Sequence, residues 1–403
     1  NIWRSTDGGT SWSQINNWSS VNQASYTHAD IHYLKWHGDN LYCGSDGGIY
    51  KSTNDGDVFT DLTKGLPIGQ YYDIDVYEND PSYIVGGLQD NGGYYFDGIW
   101  KNYYGADGMM NVFNQSDSSM VFGMIQYGGL YYSGNAAESS SGWGKPTGDD
   151  GNWITPMEWD ATNSQILAGY TKIYSRSPSN AWAEFSNYDF GSNLREIELY
   201  QGKSNTIIAS SSSGLYITTD AGASWVNATV NLPTASTIRD LEFNDSDSSN
   251  FFIITNSNVY ETTNQGVTWT NLTDNLPSTG FNDIEMDQSE NNKSLYLATD
   301  IAVHYYSTTL DDWVLFNHNL PHTNISDIEI QEQFNAIRIG TYGRGVYVSN
   351  LYGKTLHNHD AQALSITLAD TLCAPQMLAI GFEIKNRAWD TIHNIMVDVE
   401  LNG

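Results

Sequence analysis

Apolar residues along this chain fall into short runs that end at glycine turns and restart on an aromatic strand. The rows are LYCGSDGGIYKS from Leu41, YIVGGLQDNGGYYF from Tyr83, VFGMIQYGGLYYS from Val121 and ILAGYTKIYSRS from Ile166. The series continues with IIASSSSGLYITT from Ile207, FFIITNSNVYETT from Phe251, LYLATDIAVHYYS from Leu295 and IRIGTYGRGVYVS from Ile337. Their apolar starts, at 41, 84, 121, 166, 207, 251, 295 and 337, recur every 37 to 45 residues. That is the period of a four-stranded propeller blade. Ahead of most rows stands a strand of alternating apolar and acidic residues: YYDIDVY, LREIELY, IRDLEF, FNDIEM and SDIEI. Period-two alternation belongs to strands and contradicts helix.

With strands named A to D from the axis outward, the chain supplies eight A, eight B, nine C and eight D candidates. This predicts an all-β fold, a propeller of seven or eight four-stranded blades over residues 1–350. The first repeat has only C and D strands, and the last has A, B and C, ending at Val348. Setting the N-terminal strands beside the C-terminal three closes eight blades, the arrangement slightly preferred. The surplus C strand also allows seven blades and a remnant of an upstream propeller.

The C-to-D turns carry a second signature. Ser5 to Trp12 reads STDGGTSW, Thr218 to Trp225 reads TTDAGASW, and Thr262 to Trp269 reads TTNQGVTW. STNDGDVF, from Ser52 to Phe59, is a decayed copy. All fit S/T-x-D/N-x-G-x-x-W/F, which resembles the Asp-box, or bacterial neuraminidase repeat. The acid or amide bonds backbone amides within the turn, glycine takes positive φ, and the aromatic packs between strands. Ser5, Asp7, Gly9 and Trp12 are therefore expected as staples, with the tryptophan buried. Asp220, Gly222 and Trp225 form a second set, and Asn264, Gly266 and Trp269 a third. Strand order puts these turns opposite the B–C and D–A loops, where propeller ligands usually sit.

After GTYGRGVYVSNLYG the repeat stops, and residues 351–360 read as a linker. Residues 361–403, ending GFEIKNRAWDTIHNIMVDVELNG, resemble an adhesion-type bacterial immunoglobulin-like module. Such a sandwich needs about seven strands and roughly 100 residues, so only part of one is expected. Propeller, Asp-boxes and adhesion module together resemble large secreted surface proteins, cargo of the type IX secretion route among them. Relatives of this kind include sialidases, xyloglucan-cleaving glycoside hydrolases, sortilin-type receptors and many non-catalytic binders. The resemblance implies a secreted or cell-surface location and a place in a larger multidomain chain. It identifies architecture better than activity.

Charge narrows the choice of partner. Lys and Arg number 17 against 47 Asp and Glu, a formal charge of −30. Such a field repels phosphate backbones and anionic membranes, so no nucleic-acid partner and no membrane insertion are expected. Neutral glycans, cations and basic protein surfaces remain. The two cysteines, Cys43 and Cys373, are too far apart in sequence for a metal knuckle or a disulfide framework and read as buried thiols.

Candidate chemistry sits in the loops. Asp90, in GLQDNGG, and Asp107, in YYGADGMM, form the best acid–base pair for a glycoside hydrolase, with Trp100, Tyr103 and Tyr104 as sugar-stacking candidates. The competing reading makes both acids turn residues ahead of Asn-Gly and Gly. For a sialidase, only Arg344 lies in a clear B–C loop, where three arginines are needed. His28 and His32 are spaced i, i+4, but their neighbourhood reads as strand. These negatives favour a binding module over an enzyme. Its ligand face is expected around Asp46, Gln89, Asp90, Asn91 and Tyr104. Asp107, Gln126, Tyr127, Tyr342 and Arg344 complete that face. A third reading is a structural subunit of a surface assembly.

One carboxylate recurs in six of the eight A strands: Asp75, Glu158, Glu198, Glu242, Glu285 and Glu329. Strand A is innermost, so these groups are expected to approach a central channel. There they need water, protons, neighbouring amides or a cation, and calcium suits an oxygen-rich site of this kind.

Overall fold

The computed structural model describes residues 1–212, 214–233, 236–289 and 293–354, with the strands Ala361–Thr367 and Gly381–Asn386. Almost every described element is a short antiparallel strand. All eight apolar rows form B strands, and each pairs with an A strand before it and a C strand after it. The described strands match the sequence inventory of eight A, eight B, nine C and eight D.

Seven innermost strands close a ring. They are Tyr71–Val76, Gly108–Asn114, Met157–Asp160, Leu194–Leu199, Ile238–Phe243, Phe281–Met286 and Ile325–Gln331, here the A strands of blades 1 to 7. Each packs on the next, and the seventh returns to the first. Blades 1 to 6 have four strands, and blade 7 has three among the described residues. The preferred eight-bladed closure is therefore corrected to seven. The sheet Ile31–His37, Asn40–Ser45, Gly48–Ser52, Thr60–Asp61 lies outside the ring as an outlying blade. The hairpin Trp3–Arg4, Ser13–Gln14 is a half-blade packed against it through Ile2 and Ile15.

Side chains near the axis mark the seams between ring blades. In blades 1 and 7 the A strands present Asp73 and Asp327, which bond amides of the next blade. The outlying blade presents Tyr33 and Lys35 at the matching register. Blade 2 carries no carboxylate there either, with Met110 and Val112 on the channel, and yet stands in the ring. Blade 7 meets blade 1 through Arg338, buried and donating to Gln331 and to the Pro81 carbonyl. Gln331 Nε2 donates to the Tyr77 carbonyl at 2.6 Å, and Gly343 N–H donates to Gly69 at 3.0 Å.

The core runs between blades as a chain of apolar clusters. One such layer stacks Leu215 and Ile217 of blade 4 on Leu241, Phe243 and Phe251 of blade 5. Beyond residue 354 the two described strands pair antiparallel. The rest of the expected immunoglobulin-like module, linker residues 355–360 and Cys373 lie outside the described residues. Cys43 is buried and unpaired.

Candidate functional site

The Asp-box turns are built as their residue types require. Ser5 Oγ donates to Asp7 at 2.8 Å and accepts from Gly9 N–H at 2.7 Å, while Ser11 donates twice to the Asp7 carboxylate. Thr218, Asp220, Gly222 and Ser224 repeat that net, and so do Thr262, Asn264, Gly266 and Thr268. These donors hold the Asp7 and Asp220 carboxyls down at about 2. Trp225 is largely covered, donating to Ser186 Oγ at 3.0 Å with its ring 5.0 Å from Phe190. Trp269 packs on Phe251. Trp12 departs from expectation and is exposed, because it belongs to the half-blade.

A further box lies in the Gly/Ser-rich stretch after Ser133, where the sequence pattern does not reveal it. Ser133 donates to Asn135, Ala137 N–H donates back to Ser133, and Ser139 N–H donates to Asn135. Ala136 and Ala137 take φ +54° and +62°, matching Ala221 and Gly222 at +56° and +77°. Alanine in place of glycine erases the signature; the Ser-x-Asn spacing remains as the usable signal.

On the opposite end, the B–C and D–A loops bring several predicted residues together. The Asp90 turn has φ +59°. Its N–H donates to Asp107 Oδ1 at 2.9 Å, and its carbonyl meets His28 Nε2 at 3.2 Å. Gln89 Nε2 donates to the Asp90 carboxylate, and Asn91 Nδ2 donates to the Gln89 carbonyl. Gln126 accepts from Asp107 N–H at 3.3 Å. Asp46, from the outlying blade, pairs with His32 at 2.6 Å. Burial first, then the Asp107 and Asp46 carboxylates, push the Asp90 carboxyl up. Asp30, Asp46 and Asp90 place one oxygen each within 4.8 Å of one another, a converging donor trio at the seam between outlying blade and ring.

Tyr342 closes the other side of this mouth, its ring 5.6 Å from Tyr72. Burial, then Tyr72 and the Asp90 and Asp107 charges, push its hydroxyl up. Tyr127 is half-exposed and stands edge-on to the half-exposed Trp153 at 5.2 Å. Arg344 is exposed and turns back to the Gly343 carbonyl. Tyr104 does not reach the face. It is buried, its hydroxyl donates to Asn111 and the Met124 carbonyl, and its ring stacks on Tyr131. Tyr103 is buried beside it, and Trp100 packs on Phe96. The proposed sugar-stacking trio is not assembled.

Below the mouth runs a channel, two adjoining cavities of about 520 and 430 Å³. All six predicted carboxylates line it, Asp75, Glu158, Glu198, Glu242, Glu285 and Glu329. A second tier, missed in sequence, lies two residues earlier on the A strands: Asp73, Glu196, Asp240, Asp283 and Asp327. The signal was present, since positions two apart share a strand face. Asp73 accepts from Asn111 N–H, Asp240 from Ile284, Asp283 from Ile328 and Asp327 from Ile74, at 2.7 to 2.9 Å. Each joins one blade to the next. In the lower tier Asp75 accepts from Phe113 and Glu242 from Met286. Burial pushes every one of these carboxyls up, Asp75 to about 7 and Asp327 to about 8. Among the described residues the channel acids form no trio of converging donors.

These features define the chain as a seven-bladed β-propeller with Asp-box turns. A family model described as Sortilin-Vps10 (sortilin, neurotensin receptor 3) matches residues 173–349. No curated protein matches. Among solved structures, "YCF48 bound to D1 peptide" aligns with TM-score 0.55 and 14% identity, covering 71% of this chain and 95% of that one. An ancestral GH74 enzyme aligns with TM-score 0.57 and 13% identity, covering 80% of this chain and 50% of that one. At such identities the likeness is one of fold. No described helix is long and apolar enough to cross a membrane.

Proposed function

We propose that this propeller is a non-catalytic binding module, secreted or held at the cell surface as part of a larger chain, that recognises a glycan or a protein segment. The observation that carries the reading is the mouth at the B–C and D–A loops. Half-exposed Tyr127 and Trp153 stand on the same end of the blades as the Tyr72–Tyr342 pair, beside acids already engaged in turns. Exposed rings of this kind offer stacking area to sugars and to peptide side chains alike. The bound D1 peptide of the YCF48 structure, a neighbour in fold, supports the protein-segment side of the reading.

The Asp90/Asp107 pair argues against hydrolysis. Glycosidases hold two carboxyls apart across a sugar, at about 5–5.5 Å or roughly 6.5–9.5 Å. Here Asp107 spends an oxygen on the Asp90 amide, which is the work of a turn residue. The net charge of −30 favours neutral or basic ligands over phosphate-bearing ones. Glycan and peptide arrays, run beside a reducing-sugar release assay, test the proposal. Binding without release supports it. Release that disappears in Asp90→Asn would replace it with the enzyme reading.

A further inference from the structure

The outlying blade opens to solvent a face that ring blades turn to the blade that follows them. Its centre is the cross-strand row Lys35, Tyr42, Lys51, Thr60, with Tyr33, Gly44 and Ile49 beside it. Aligned on the bulge in each A strand, Lys35 stands where blades 4 to 6 have Glu198, Glu242 and Glu285. Tyr42 stands where they have Ile208, Phe252 and Tyr296, each 0% exposed in one cluster with the following blade. Here Tyr33 is 53% exposed, Lys35 is exposed, and Tyr42 and Lys51 are half-buried. No Asp or Glu stands on this face of the four strands. Another blade laid over it would strip water from two ammonium groups and pair neither, so the face is built for solution.

Lysine pairing points the same way. Lys101, Lys145, Lys172, Lys293 and Lys354 are each ion-paired with a carboxylate, and Lys203 donates to Gln201. Among the described residues Lys35, Lys51 and Lys64 have no carboxylate in ion-pair range, although acids outnumber Lys and Arg 47 to 17. Lys35 and Lys51 lie in the outlying blade, and Lys64 in the turn that leaves it. Lys51 stands over the Tyr42 ring at 6.0 Å, a cation held against a flat aromatic surface.

Spacing and shape select the ligand. Lys35 and Lys51 are two strands apart, about 9–10 Å at the backbone, with Tyr42 between them. Such a row suits a polymer of sparse charge. Duplex nucleic acid carries a charge about every 1.7 Å and meets the repulsion of the whole chain. An extended acidic peptide wants a free strand edge or pockets for its side chains. Lys35 guards the edge, and the flat sheet face offers rings instead of pockets. We propose that this face is a second binding site, independent of the mouth, for an acidic polysaccharide. Sugar rings stack on Tyr33 and Tyr42, and their carboxylate or sulfate groups pair with Lys35 and Lys51. The chain's −30 charge reaches the site weakly, since physiological salt screens beyond about 8 Å.

Titration calorimetry of the 403-residue chain with polygalacturonate, chondroitin sulfate, neutral dextran and polyglutamate tests this. Polygalacturonate or chondroitin sulfate is expected to bind, more weakly as salt rises, and the tighter of the two tells carboxylate from sulfate. Lys35→Gln with Lys51→Gln should weaken that binding at least about tenfold, and Tyr33→Ala several-fold, with the melting temperature in place. Lys172→Gln with Lys203→Gln removes the same charge elsewhere and should leave the affinity unchanged. No binding of either polymer, or equal losses in the two double variants, overturns the proposal. So does dextran bound as tightly as the acidic polymers. Polyglutamate bound as tightly as they are would assign the face to an acidic protein segment instead. A loss in Trp153→Ala that Lys35→Gln with Lys51→Gln does not share would move the polymer to the mouth.

Discussion

Asp327 Oδ2 accepts the backbone N–H of Ile74 at 2.7 Å, across 253 residues of sequence. Asp283 does the same for Ile328 one blade earlier, at 2.8 Å. The first bond closes the ring, and the second is its ordinary seam. Removing a carboxyl partner leaves a buried amide unsatisfied, which costs about 1–3 kcal/mol. Asp327→Ala is therefore expected to lose that much in denaturant unfolding, and Asp327→Asn, which keeps an acceptor, clearly less. Equal losses for the two variants would mean that the acceptor is not what matters.

The hidden Asp-box makes a paired prediction. Ala137 sits at φ +62°, a region that costs a non-glycine residue roughly 1–2 kcal/mol. Glycine's larger unfolded-state entropy takes back part of the gain, so Ala137→Gly should stabilise by about 0.5–1 kcal/mol. Gly222→Ala should do the reverse by about 1–2 kcal/mol, since its added Cβ also meets Phe185 at 3.0 Å. Thermal melts of both variants settle this. A stabilised Gly222→Ala would show that the two turns are not equivalent.

The channel sets the pH response. Its carboxyls are held above their ordinary values by burial, Asp75 at about 7 and Asp327 at about 8, with Glu78 at about 8 beside them. Folded protein then binds more protons than unfolded chain, so stability falls as pH rises. The contribution is complete below the ordinary carboxyl range near pH 4 and is lost progressively up to about pH 8. The lowered Asp7 and Asp220 act oppositely, but only as pH drops from about 4 toward 2. Melting temperature should therefore be higher at pH 5.5 than at pH 8, and Glu198→Gln with Glu285→Gln should flatten the difference. A protein more stable at pH 8 would contradict the channel assignment.

The same acids bear on calcium. Asp73, Asp240, Asp283 and Asp327 of the upper tier are committed to neighbouring amides, and burial pushes the lower-tier carboxyls up. Calcium wants six or more oxygens in one shell. Melting at pH 7 with calcium or with a chelator is expected to give one temperature. A rise with calcium that vanishes in Glu158→Gln would return the ion to the channel. A rise that survives there but vanishes in Asp46→Asn would move it to the seam trio.

Strand inventory and one of the two tiers of channel acids were legible because period and alternation are local. Blade count was not, since it depends on which inner strands meet across the ring. Tyr33 and Lys35 stand where six of the seven ring A strands carry acids, a difference readable only once the register is fixed. Tyr104 was misplaced for a related reason. Its strand end neighbours a loop, yet the buried Asn111 Oδ1 captures its hydroxyl and draws the ring inward. Asp90 and Asp107 lie together, but through the Asp107 carboxylate holding the Asp90 backbone amide, a relation that no spacing in the sequence displays.

Ligand recognition should rest on Tyr127 and Trp153. Backbone bonds fix the two loops together, Tyr127 N–H to the Trp153 carbonyl at 3.2 Å and Gly151 N–H to the Tyr127 carbonyl at 3.1 Å. Tyr127 holds φ +65° there, so its ring is positioned before any ligand arrives. Rigid aromatic anchors of this kind dominate binding energies, and truncating one costs about 2 kcal/mol or more, roughly a thirtyfold loss. Trp153→Ala is expected to weaken whichever glycan or peptide the arrays identify by that factor. Its ring is half-exposed, so the melting temperature should hardly move. Trp225→Ala, on the Asp-box face, should give the opposite result, a lowered melting temperature with affinity retained in the folded fraction. If Trp225→Ala weakens binding while Trp153→Ala does not, the ligand sits at the Asp-box end of the ring and the proposed face is wrong.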